Sequence, residues 1–169
     1  MSKRALQKYL SSLKKKELEE QFMDLYTRFP LVKEYYDFVF NPKEDKLIQE
    51  AKLKISNEYF PVKRRRPKAR RSVAQKYIKH FIKLGVDPFL IADVMLYNLE
   101  IAQSFSQEKN VPDAFYKSML NSFTEAVQHI SVNALLPDFK ERIVIIYKTT
   151  QDQKWLFEEG FSRALDTID

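Results

Sequence analysis

The chain has 169 residues, an apolar fraction of 44%, 13 Phe, 9 Tyr and a formal net charge of +6. That length fits one domain or two small ones, and a compact chain of this size buries roughly two thirds of its unfolded surface. The lack of cysteine excludes disulfides, thiolate metal sites and thiol nucleophiles, and two glycines, Gly85 and Gly160, are too few for a Gly-rich phosphate loop or a sheet of tight hairpins.

Residues 1–16 are charged throughout, so no secretory signal is expected. The most apolar run, 89–102, is broken by Asp93, Asn98 and Glu100 and falls short of the ~20 residues that span a bilayer. A cytoplasmic protein without membrane association is the expectation.

In chain order, residues 2–13 place Leu6, Tyr9, Leu10 and Leu13 on one helical face. A second helix follows over 15–29, with Leu18, Phe22, Leu25, Tyr26 and Phe29 expected to be buried and Glu17, Glu19, Glu20 and Asp24 wet. Pro30 ends or bends it, because proline lacks the amide donor. Residues 31–40, rich in Tyr35, Tyr36, Phe38 and Phe40, are read as helix for want of any partner strand. Asn41-Pro42 has the chemistry of a helix start, with Leu47, Ile48, Ala51, Ile55 and Tyr59 as the stripe beyond it.

After residues 61–71, Ser72 is expected to cap a helix that buries Val73, Tyr77, Ile78, Phe81 and Leu84 and stops at Gly85. Asp87-Pro88 then opens a helix to about residue 107 that is apolar nearly all round, which suits a central helix. Further helices are expected after Pro112, from Pro137, and after Asp152 as a cap, the last turning Trp155, Leu156, Phe161 and Leu165 inward. The expected fold is all-α: eight or nine helices packed as an orthogonal bundle or a short stack of helical hairpins. It is expected to form a single domain over 1–169, with a basic extended loop at 61–71 between helical halves at 1–60 and 72–169.

That loop holds Lys63, Arg64, Arg65, Arg66, Lys68, Arg70 and Arg71 and no acid; without these seven, 22 basic side chains face 23 acidic ones. All the net basicity therefore lies in one segment. Pro61, Pro67 and dense like charge argue for an extended conformation. Three readings stand beside one another: a solvated connection, a phosphate-contacting surface with Tyr59, Phe60 and Tyr77 near enough to stack on bases, and a docking site for an acidic protein.

The pattern also resembles a known family. The residues that carry the resemblance are the opening 2–10, Leu18-Glu19-Glu20 with Asp24-Leu25-Tyr26, 32–38 with Asn41-Pro42, the basic run before Ser72-Val73-Ala74, and 84–88. They are similar to an uncharacterised bacterial, all-helical family catalogued as domain of unknown function 6155. The resemblance implies an all-helical bacterial protein and carries over no catalytic or binding residue.

Other chemistry is sparse. His80 and His129 lie at the edges of helical stripes, without the Glu-x-x-His spacing of carboxylate-bridged metal bundles, and no metal site or cofactor is expected. The carboxylates at 17–24 and 158–159 fall on wet faces. Asp93 and Glu100 are exceptions, because their helix is otherwise apolar: they line a pocket or pair with cations from the basic run, and pairing is preferred because an unpaired buried carboxylate is costly. No Gly-x-Ser-x-Gly elbow is present. The expected function is a non-enzymatic binding or interaction protein that contacts nucleic acid, weakly and without sequence preference, or an acidic protein through the basic loop. The alternative is an oligomerising helical scaffold with an aromatic contact surface at 35–40. An enzyme built around Asp93 and Glu100 stands third, and clustering of these two with His80 around one pocket would favour it.

Overall fold

The computed structural model describes residues 2–62 and 66–168. They form nine α-helices and no strand: α1 (Lys3–Ser11), α2 (Lys15–Arg28), α3 (Pro30–Phe40), α4 (Glu44–Tyr59), α5 (Arg71–Leu84), α6 (Pro88–Glu108), α7 (Asp113–Val132), α8 (Leu136–Asp152) and α9 (Glu158–Leu165). The chain divides into two compact units, 1–43 and 44–169. The basic connection joins α4 to α5 and so lies within the second unit.

In the first unit Ser2 caps α1 by accepting from the Ala5 amide, and Pro30 takes the first position of α3. Helices α2 and α3 meet through Phe22 and Tyr36, whose rings stand edge-on at 4.7 Å. None of the described residues of these helices is buried. The faces that periodicity assigns to a core remain open: Leu6, Tyr9, Phe22, Leu25 and Phe29 are all exposed, and Phe40 keeps 83% of its surface. This corrects the expectation for α1 and α2. An apolar stripe records which side of a helix seeks cover, and three short helices alone enclose too little volume to supply it.

The second unit has a true core, and α6 is its centre. Helices α4, α5, α7 and α8 all pack against it, and α9 closes on α7 and α8. Asp87 caps α6 through the Phe89 amide, Pro88 takes its first turn, and Gly85 ends α5 in the left-handed conformation at φ 78°. Ile91, Val94, Leu96 and Leu99 are buried on α6, facing Ile55, Phe81, Met119, Ile130 and Ile143 from its neighbours. Gly160 lets α9 approach α7 closely, since a Cβ there would stand 2.6 Å from Leu120 Cδ2.

Two buried polar contacts tie α6 to its neighbours. The Tyr59 hydroxyl donates to Asn98 Oδ1 at 3.2 Å, and Gln103 Nε2 donates to the Ile146 carbonyl at 2.7 Å. Tyr59→Phe should therefore cost about 1–2 kcal/mol, because Asn98 Oδ1 keeps its burial and loses its donor. In a chain of this size that lowers the melting temperature by roughly 2–8 °C. A thermal melt of the variant equal to wild type would contradict the assignment.

Three helix starts differ from expectation. Asn41 closes α3, its amide donating to the Asp37 and Phe38 carbonyls, and α4 begins only at Glu44. Helix α5 begins at Arg71, so Ser72 lies in its first turn and makes no cap hydrogen bond. Asp152 is the last residue of α8, and α9 starts after Phe157, held at φ 68°. Of the four apolar residues expected to turn inward at this end, Trp155 and Phe161 are buried and Leu156 is exposed.

Candidate functional site: a basic cleft between two helices

The candidate site lies where α4 ends and α5 begins. The chain leaves α4 at the buried anchor Tyr59 and returns along it. The Lys68 and Ala69 amides both donate to the Glu58 carbonyl at 3.0 Å, with Ala69 in the left-handed region at φ 46°. Arg70 then grips the Glu58 carboxylate with two charge-assisted bonds, Nε at 3.0 Å and Nη2 at 2.9 Å. Those bonds from Arg70 hold the Glu58 carboxyl below the usual range, against the opposing effect of its partial burial. Residues 68–70 are thus pinned to the last turn of α4.

Arg71 is also engaged. Its Nε donates to Ser122 Oγ at 2.8 Å and its Nη2 lies 2.6 Å from Glu125, which also accepts from Gln75. These bonds tie α5 to α7. Of the seven sequence-singled cations, Arg70 and Arg71 are therefore structural clamps. Arg66 and Lys68 are exposed and make no ion pair with a described residue. Lys63, Arg64 and Arg65 lie outside the described residues.

Between the helices is a cleft of about 920 Å³. Its cationic lining comes from Arg66, Lys68 and the Glu58-bound Arg70, with Lys54 from α4 and Lys76 from α5. Pro61, Val62, Val73 and Tyr77 supply apolar wall, and Asn57 an amide. Its one carboxylate among the described residues, Glu58, is the one neutralised by Arg70. Tyr77 and Val73, expected in the core, are only half-buried, because Ala74, Ile78 and Phe81 take the inner face of α5. Lys54 and Lys76 lie outside the contiguous basic run, so charge density along the sequence does not single them out. The signal was there: Lys76, Lys79 and Lys83 recur at helical spacing opposite that inner face, and all three are exposed.

Asp93 and Glu100 belong to a second cluster. Arg142 from α8 reaches Asp93 Oδ1 at 2.7 Å and grips Glu100 with Nε at 2.6 Å and Nη2 at 2.9 Å. Lys52 from α4 meets the other Asp93 oxygen at 2.5 Å and lies 5.2 Å from the centre of the Tyr97 ring. The carboxylates are paired, as expected, but by cations from α4 and α8 and not from the basic run. Burial pushes the Asp93 carboxyl up, yet its bonds to Lys52 and Arg142 outweigh that and hold it below its ordinary value. Glu100 likewise drives the Arg142 guanidinium further up.

His80 lies on α5 with its ring 6.1 Å from Phe81. One His129 nitrogen is 3.0 Å from the Pro88 carbonyl, so His129 links α7 to the start of α6. Among the described residues no three His, Asp or Glu side chains are grouped to hold a metal ion, and no helix is long and apolar enough to cross a membrane.

No curated protein and no solved structure matches the chain. A family model described as a family of unknown function, DUF6155, matches residues 1–169, and the chain belongs to that family.

Proposed function

We propose that this chain is a non-enzymatic binding protein whose α4–α5 cleft takes the phosphate backbone of nucleic acid. The supporting observation is the convergence of Lys54, Arg66, Lys68 and Lys76 on one open cleft whose single carboxylate among the described residues is already neutralised. Cations on three separate stretches of backbone, unpaired among the described residues, are what a row of phosphates needs. Asp93 and Glu100 are spoken for by Arg142 and Lys52, which removes the motive for an enzyme built on them.

A contact made by four cations releases counterions, so log affinity should fall with log salt at a slope of about −3.6 on duplex DNA. Raising salt from ~50 to ~200 mM should then weaken binding about a hundredfold. Fluorescence anisotropy with a labelled duplex and a labelled single strand reads this directly. A loop that serves only solubility gives no binding at low salt. An acidic protein partner gives a salt-sensitive complex that nucleic acid does not displace. Either result rejects the reading.

A second reading, a self-associating scaffold, is favoured by one observation: the aromatic face of α3 is open, with Tyr35 and Phe40 both exposed. It requires a concentration-dependent sedimentation coefficient that Phe40→Ser abolishes.

A further inference from the structure

We infer that the α4–α5 cleft seats an unpaired nucleotide, so that this site prefers single-stranded nucleic acid to duplex. The inference rests on the phosphate-binding reading above and adds what the apolar part of the cleft is for. Cations alone would serve any polyanion, and they need no pocket. Here they rim a cavity of about 920 Å³, within the range of small-ligand sites. Tyr77 and Val73 supply one wall from the first turns of α5, and Pro61 and Val62 supply apolar surface just past α4. The Tyr77 ring packs 6.2 Å from Phe81, whose own side chain is fully buried, so the tyrosine is held from behind by the core. A half-buried tyrosine backed in this way is a stacking platform, which any base can use because every base has a π-face.

The polar groups fit the same ligand. Asn57 carries both a donor and an acceptor and lines the cleft, where a base edge can meet it. Lys54, Lys68 and Lys76 line the same cleft and can meet the phosphates on either side of a seated base. Arg70 keeps Glu58 from repelling them. In a duplex the base faces are already stacked, so a duplex engages only the rim. An unpaired base brings its face to Tyr77 at little cost.

The test uses the full chain and anisotropy at one low salt concentration, with three probes: a short labelled strand, the same strand with abasic sugars, and its duplex. The strand should bind more tightly than the duplex. Tyr77→Ala should weaken strand binding about five- to a hundredfold, the range that base–aromatic stacking covers, and leave duplex binding unchanged. The abasic strand should bind wild type as weakly as the intact strand binds Tyr77→Ala. Tyr77→Phe keeps the ring and should bind like wild type, which separates loss of stacking from loss of fold. If Tyr77→Ala and the abasic strand bind undiminished while the salt dependence persists, the base slot is wrong and the phosphate reading stands. If no probe binds at low salt, both fall.

Discussion

Arg142→Met should destabilise the second unit by about 2–3 kcal/mol, seen as a fall of roughly 4–12 °C in melting temperature. Arg142 makes three hydrogen bonds to two carboxylates set two turns apart on α6, and its removal leaves Asp93 with Lys52 alone and Glu100 with no partner in the cluster. The effect stays below that of a fully buried pair because these side chains keep 23–38% of their surface exposed, and water screens what remains. Replacing Glu100 with Leu in the same background should recover part of the loss, since an apolar substitute removes the stranded charge. The linkage to pH has a definite sign. The folded Asp93 carboxyl is held below its ordinary value, so its contribution is fully present above the unfolded pKa of about 4 and disappears as pH falls through the folded value. Wild type should lose stability faster than Arg142→Met on acidification below about pH 5. Parallel melting curves across that range, or an unchanged melting temperature at pH 7, would contradict the cluster's role.

Much of the second unit was legible because its punctuation is local. Gly85 adopts the positive φ that only glycine reaches cheaply, and Asp87-Pro88 combines a side-chain acceptor with a preset φ, so one stop and one start could be read from three residues. The apolar girth of α6 announced a helix surrounded by others. Asn41-Pro42 misled because the same Asn can end one helix as readily as begin the next, and here its amide closes α3. The first unit misled for a different reason. Periodicity shows that Leu6, Phe22 and Phe29 share an apolar side, but whether anything covers it depends on partners that spacing does not encode.

The candidate site was half legible. Charge density drew attention to residues 61–71, yet charge counts cannot tell a free cation from a clamp. Glu58, twelve residues before Arg70, and Glu125, far along on α7, take two of the arginines out of play. The reverse error hid Lys54 and Lys76, which come from helices on either side and meet the loop only in space. Asp93 and Glu100 were recognised as needing partners, because a carboxylate on an apolar helix is an energetic debt wherever it lies. Which cations would answer depended on the approach of α4 and α8.

The second large effect concerns the cleft. Changing Lys54, Arg66, Lys68 and Lys76 to Gln removes four charges from its rim, while the clamps at Arg70 and Arg71 and the core beneath stay as they are. Affinity at low salt should fall from the micromolar range of non-specific binding to beyond detection. Arg70→Gln should do less to the salt slope, because its charge is already matched by Glu58. The direct measurement is the salt dependence of duplex binding for wild type beside graded variants with one, two and four of these cations replaced, each checked for unchanged helix content. The account predicts that the slope becomes shallower by about 0.9 for each cation removed. A wild-type slope near zero, or a slope that the four replacements leave unchanged, would contradict the claim that this cleft binds nucleic acid.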